Sequence, residues 1–169
     1  MDLYVIRHGI AQQLGKKNAF TDTKRTLTAD GRNRMREAAK GLRKLEVELD
    51  LILTSPLVRA VETAEIVAAA LKLDKKHIDQ TGNLEPGASA EKLFDEIKKK
   101  SGIESIALVG HQPDLGELIL KIVQGKSKMS LPLKKGGVCY IRVTETVPAL
   151  RGSLEWLLTP RQLRLLAKL

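Results

Sequence analysis

The residues Leu3-Tyr4-Val5-Ile6-Arg7-His8-Gly9 decide how the rest of the chain is read. Four apolar residues lead into an arginine and a histidine, and the pattern stops at glycine. A short unbroken apolar run is the mark of a strand buried on both faces, as in a parallel sheet. Arg7 and His8 then emerge at the carboxyl end of that strand, the edge where open α/β sheets bind their ligands.

Working outward, two further short stretches read as apolar strands. Residues 49–53 end in Thr54-Ser55-Pro56, and residues 105–109 end in Gly110-His111-Gln112-Pro113. Between these runs the apolar residues fall at helical spacing. One set is Met35, Ala38, Ala39, Leu42 and Leu45, behind a Thr28 cap. A second is Val58, Val61, Ala64, Val67, Ala68 and Leu71, with Ser55 suited to the N-cap and Pro56 to the first helical position. A third is Leu93, Phe94 and Ile97 behind Ser89. Asp114 and Glu117 have capping-box spacing ahead of Leu118, Ile119, Ile122 and Val123.

Residues 76–79 read as a short edge strand. The tail changes character: residues 138–143 and 153–158 read as two strands joined around Pro148, an antiparallel pair. Thr159-Pro160-Arg161-Gln162 then opens a last helix. The expected fold class is α/β, a three-layer sandwich with a mostly parallel central sheet flanked by helices and an antiparallel strand pair near the C-terminus. With 169 residues and no linker or repeat, one domain over 1–169 is expected.

Composition narrows the function classes. The net charge of +9 points to an anionic partner: nucleic acid, acidic lipid, phosphate ester or acidic protein face. Aromatic residues make up only 3%, too few for stacking platforms, which argues against nucleic acid. No apolar run has the length of a membrane span and no leader precedes Leu3, so no membrane is expected and a cytoplasmic location is. The lone Cys139 excludes an internal disulfide and reads as a buried strand residue. Zinc-ligand spacing, a Walker loop and a dinucleotide fingerprint are all missing, so no cofactor and no metal are expected. Oligomeric state is left open.

Parallel strands bring their carboxyl ends to one edge. Arg7 and His8 from the first strand, Arg59 beyond the second and His111 beyond the third therefore converge, although up to about a hundred residues separate them. Two arginines and two histidines in one crevice suit a compact polyanion, since the arginine fork grips phosphate oxygens in bidentate fashion. Backbone N–H groups after Pro56 or Pro113 can add to the grip. A neutral imidazole beside a bound phosphoryl group is also a competent nucleophile. The loose transition state of phosphoryl transfer spreads charge over oxygens that Arg7, Arg59 and a protonated His111 can meet, with no metal required.

Arg7-His8-Gly9, the run Ser55-Pro56-Leu57-Val58-Arg59-Ala60-Val61-Glu62-Thr63-Ala64, and Gly110-His111 resemble the signature set of the histidine phosphatase superfamily in order and general spacing. The chain has no room for the large inserts of mutases and acid phosphatases. Its size, with Arg25-Thr26-Leu27-Thr28 and Gly110-His111-Gln112-Pro113, is similar to the SixA-type phosphohistidine phosphatases. The resemblance covers residues 3–158. It implies a phosphoglycerate mutase-like sandwich, His8 as nucleophile, and Arg7, Arg59 and His111 as phosphate ligands. It also implies a hydrolase of signal-transduction phosphorelays, with a phosphorylated histidine-containing protein as substrate.

Glu85, in Asn83-Leu84-Glu85-Pro86-Gly87, lies where many members of the superfamily carry the acid that protonates the leaving group. It is either that donor or an exposed loop glutamate. A phosphoimidazole has a labile P–N bond and needs less help to depart than an alkoxide does. A dispensable Glu85 therefore goes with phosphohistidine and an essential one with phosphate esters. Arg25 either reaches the substrate or stays a solvated loop arginine. Lys16, Lys17, Lys24, Lys126, Lys128, Lys134 and Lys135 either flank the mouth and dock an acidic phosphoprotein or form a solvated basic surface. His77 reads as structural or exposed, and Trp156 as packing. The competing functions are a phosphatase for a small phosphate compound, ester or sugar phosphate, and a non-catalytic phosphate or nucleic-acid binding module.

Overall fold

The computed structural model describes residues 1–15, 21–100, 102–124 and 129–169. Six strands, β1 (Asp2–Arg7), β2 (Leu51–Thr54), β3 (Ile78–Gln80), β4 (Ser105–Gly110), β5 (Val138–Glu145) and β6 (Arg151–Leu158), form one sheet in the order β3-β2-β4-β1-β5-β6. The pairs β3/β2, β2/β4 and β4/β1 are parallel, while β5 runs antiparallel to both β1 and β6. Among the described residues five α-helices cover the sheet: α1 (Ala29–Lys44), α2 (Val58–Leu71), α3 (Ala90–Lys98), α4 (Asp114–Val123) and α5 (Pro160–Leu166). The expected α/β sandwich, parallel in the middle and antiparallel toward the C-terminus, is the fold observed. Among the described residues no helix is long and apolar enough to cross a membrane.

Both faces of β1 are buried, which is why its sequence is an unbroken apolar run. Leu3 and Val5 join a core with Leu93, Phe94 and Ile97 of α3 and Leu115, Leu118, Ile119 and Ile122 of α4. Tyr4 and Ile6 face the opposite core, with Met35, Ala38, Ala39 and Leu42 of α1, Ala60, Ala64 and Val67 of α2, and Leu163 of α5. Trp156 packs on that face as expected, 5.5 Å from the Tyr140 ring, which stacks on Tyr4. Small residues on α1 let backbones approach closely: a Cβ on Gly31 would lie 2.1 Å from the Ile10 carbonyl oxygen.

Several helix starts match the sequence reading. Thr28, Ser89 and Thr159 each accept a hydrogen bond from a first-turn N–H, and Thr159 with Gln162 completes a capping box. Two starts differ. Helix α2 begins at Val58 behind Leu57, not at Pro56, and Ser55 is not its N-cap. Pro113 takes the N-cap position of α4, whose first residue is Asp114, so Asp114 and Glu117 form no capping box. In both cases the polar side chain is directed to tertiary partners, which local spacing does not report. Boundaries also shift: β2 starts at Leu51, α1 stops before Leu45, and the edge strand β3 spans Ile78–Gln80 rather than residues 76–79.

Strand register sets up the site. Arg7 pairs with Gly110 and Thr54 with Val109, so β1, β4 and β2 end level with one another. The level is continued by His8 N–H donating to Gly110 O at 3.1 Å and Ser55 N–H donating to Val109 O at 2.9 Å. His8, Ser55 and His111 are thereby the first residues past three adjacent strand ends.

Candidate active site

His8, Arg59 and His111 do converge, and all three are buried, with exposures of 6%, 4% and 4%. The two imidazole rings lie 5.1 Å apart, centroid to centroid, and are tilted by 53°. Arg59 Nε is 3.3 Å from His8 Nε2. Arg7 comes from the last position of β1, and its Nη1 donates to Leu133 O at 2.7 Å.

The tautomer of His8 follows from its partners. Gly9 O, 2.7 Å from Nδ1, can only accept, so Nδ1 carries the proton. Arg59 Nε can only donate, so Nε2 presents its lone pair. Both contacts select the same neutral ring. Burial, together with the charges of Arg59 and Arg7 and with His111, holds His8 down to about 3, although the hydrogen bond to Gly9 works the other way. The result is an unprotonated nitrogen facing a guanidinium, the state a nucleophile needs at neutral pH.

His111 corrects one expectation. Burial first, then Arg59, lowers it to about 4, against smaller opposing pulls from Asp22 and Asp114. In this structure it is therefore neutral rather than protonated at pH 7. Its Nε2 lies 2.8 Å from Ser55 Oγ, the hydroxyl that the sequence reading had placed in a helix cap. Its Nδ1 and Arg7 Nε are buried without a hydrogen-bond partner. Leaving such groups unpaired costs about 1–3 kcal/mol each, which an oxyanion bound there would offset.

Thr63 and Asp22 are the residues that the sequence reading did not assign. Thr63, buried on α2 one turn beyond Arg59, donates from Oγ1 to Arg59 O at 2.7 Å and accepts from Gly9 N–H at 3.0 Å. One hydroxyl thus ties the backbone after His8 to the helix that carries Arg59. The i, i+4 spacing of Arg59 and Thr63 was a visible signal for it. No periodicity announces Asp22, which sits in a single 3₁₀ turn (Asp22–Lys24). Arg59 Nη1 donates to Asp22 O at 2.7 Å and Nη2 to Asp22 Oδ2 at 2.8 Å. Burial pushes the Asp22 carboxyl up, but hydrogen bonds from Arg25 and Arg59 outweigh it and hold the group below the usual range.

Arg25 is placed behind Asp22 rather than beside the histidines. Its Nη1 donates to Asp22 Oδ1 at 2.7 Å and its Nε to Gln12 O at 2.6 Å. The segment that carries both is clasped at its neck. Ala11 and Leu27 form an antiparallel bridge, flanked by Gln12 N–H to Thr26 O and Thr28 N–H to Ile10 O, each at 2.9 Å. Glu62 of α2 accepts from Leu27 N–H and pairs with Arg32, fastening the neck to the Arg59 helix.

Glu85 is exposed, and it shares with His111 the lining of a small cavity of about 30 Å³. Of the basic loop residues, Lys16, Lys17, Lys126 and Lys128 lie outside the described residues. Lys24 belongs to the Asp22 turn, and Lys135 lines a cavity of about 240 Å³ behind Gly9 with Arg34, Arg161 and Arg164. His77 is half-buried beside the edge strand β3. Cys139 is buried in β5, with its thiol pushed up to about 12 by that burial.

A family model for the histidine phosphatase superfamily (branch 1) matches residues 3–117, the stretch that contributes every residue of this cluster. The chain belongs to that superfamily. An uncharacterized protein of Picosynechococcus sp. is 38% identical over 144 residues, covering 84% of this chain and 85% of that relative. Phosphohistidine phosphatase SixA of Escherichia coli is 24% identical over 167 residues, 98% of each chain. Among solved structures, the protein histidine phosphatase SixA complexed with tungstate superposes with a TM-score of 0.84 at 24% identity, over 96% of this chain and 99% of that one. At that identity the superposition shows the shared sandwich fold, with its mixed sheet.

Proposed function

We propose that the protein is a protein phosphohistidine phosphatase that works through a phosphorylated His8. The observation that carries this reading is the neutral, buried His8, whose unprotonated Nε2 lies 3.3 Å from the Arg59 guanidinium. In the first step the Nε2 lone pair forms a bond to phosphorus while the bond to the substrate leaving group breaks, its electron pair going to that group. Arg7, Arg59 and His111 hold the phosphoryl oxygens, whose charge is spread in the transition state. Water then attacks the phospho-His8 intermediate, releasing inorganic phosphate and the neutral imidazole.

Three features favour phosphohistidine over esters. A relative named phosphohistidine phosphatase aligns over 98% of the chain, without large insertions. Among the described residues no carboxyl group is hydrogen-bonded to His8 or His111, since Asp22 pairs with Arg59 and Arg25 instead, and Glu85 is an exposed loop residue. A phosphoimidazole, which already departs readily, needs the least help from such an acid. The superfamily also includes enzymes acting on small phosphates, and the cavity shared by Glu85 and His111 is the observation that favours that second reading. The test offers a phosphohistidine-bearing protein and simple phosphate esters side by side, and traps the phosphoenzyme. Acid-labile phosphate on the wild type but not on His8→Ala, with preference for the phosphohistidine protein, is expected. Equal or better turnover of esters, abolished by Glu85→Gln, would select the second reading.

A further inference from the structure

Arg59 stands between two partners. The inner edge of its guanidinium, Nε, meets His8, and its outer nitrogens, Nη1 and Nη2, meet Asp22. The Arg59 side chain is 5% exposed and the Asp22 side chain 49%, so the order from the nucleophile outward is His8, Arg59, Asp22, solvent. Guanidinium presents the same fork of donors to a carboxylate as to a phosphate. Asp22 therefore occupies Nη donors that a phosphoryl group bound beside His8 can take, and it sits on the solvent side of the guanidinium, where a leaving group must exit. Arg25 holds the other Asp22 oxygen at 2.7 Å, so a carboxylate released by Arg59 stays tethered at the mouth.

A tethered carboxylate at that place sorts leaving groups by charge. It repels one that departs as an anion, such as a phenolate or a carboxylate-bearing alkoxide. It accepts a hydrogen bond from one that carries an N–H. When the phosphorus–nitrogen bond of a phosphoimidazole breaks, its electron pair remains on the ring, which leaves as neutral imidazole only if its other nitrogen already holds a proton. That N–H is the natural donor to Asp22. Resting on the phosphohistidine reading above, we infer that Asp22 is a specificity-determining residue: the phosphoryl group displaces it from Arg59, and it then accepts the imidazole N–H of the leaving histidine.

The experiment compares wild type, Asp22→Asn and Asp22→Glu on phosphoimidazole and on p-nitrophenyl phosphate, and measures inhibition of each by orthovanadate. In Asp22→Asn the ratio of kcat/KM for phosphoimidazole to that for p-nitrophenyl phosphate is expected to fall about tenfold, and Asp22→Glu to restore most of it. Orthovanadate is expected to bind Asp22→Asn several-fold more tightly, because the internal competitor for Arg59 has lost its charge. A fall in the ratio of less than fivefold overturns the assignment. So does weaker vanadate binding, which would make Asp22 a prop for Arg59. Failure of the wild type to cleave phosphoimidazole would instead defeat the functional reading, and it is seen in the wild type alone.

Discussion

His8, Ser55 and His111 follow directly on three hydrogen-bonded strands, whereas Asp22, Arg25 and Glu85 ride on connecting segments. The first group is buried, and its backbone is fixed by sheet register and by Thr63. The second is exposed or half-exposed and is held by turn hydrogen bonds and, at Asp22 and Arg25, by charged side chains. On the proposed function the difference separates two tasks. Positioning a phosphoryl group against a nucleophile tolerates little slack, so it belongs to the sheet. Choosing among leaving groups requires surface contact and variation, so it belongs to the loops.

Substitutions can break or sharpen that division. The largest effect is expected from His8→Ala, a loss of turnover on the order of 10⁴-fold or more, with orthovanadate binding retained. Steady-state kinetics and vanadate titration check it, and residual turnover near wild type would remove His8 from the mechanism. Next comes Arg59→Ala, expected to lower kcat/KM by roughly 10²–10³-fold, as for a lost oxyanion donor.

Acid should then weaken the buried half as a unit. His8 and His111 are lowered to about 3 and about 4 in the folded chain, while on unfolding they return to the ordinary histidine range. Between these values the unfolded chain binds more protons, so stability falls as pH drops from about 6.5 toward 3. Each group contributes up to about 1.4 kcal/mol per pH unit. Thermal denaturation across that range measures the slope, and His8→Asn should flatten it.

Thr63→Val tests the tie between Gly9 and α2. It leaves the Gly9 N–H unpaired and is expected to cost about 1–3 kcal/mol in denaturant unfolding. The smallest effect is expected from Glu85→Gln, under about threefold in kcat/KM on a phosphohistidine protein. A large loss there would move leaving-group chemistry back to Glu85.

The same division explains what was legible in the sequence. Leu3–Ile6, residues 51–53 and residues 106–109 are unbroken apolar runs because both faces of each strand are buried, so the sheet and the meeting of Arg7, His8, Arg59 and His111 are legible in them. Ser55 was read as a cap because a serine before proline is locally a good one, while its actual partner, His111, is 56 residues away. The protonation state of His111 depends on burial and on Arg59, neither of which is written near it in the chain. Asp22 meets Arg59 across 37 residues from a turn with no periodic signal. Strand ends were legible; side-chain pairs between distant segments were not.

The clasp formed by Ala11 and Leu27 has a consequence for engineering. Because the two ends of that segment already lie side by side, extra residues inserted between them add only a loop entropy of about 0.6 kcal/mol per doubling of length. An insertion in that segment that leaves Asp22 on Arg59 and Arg25 on Asp22 can thus carry a new recognition sequence while the histidines keep their spacing.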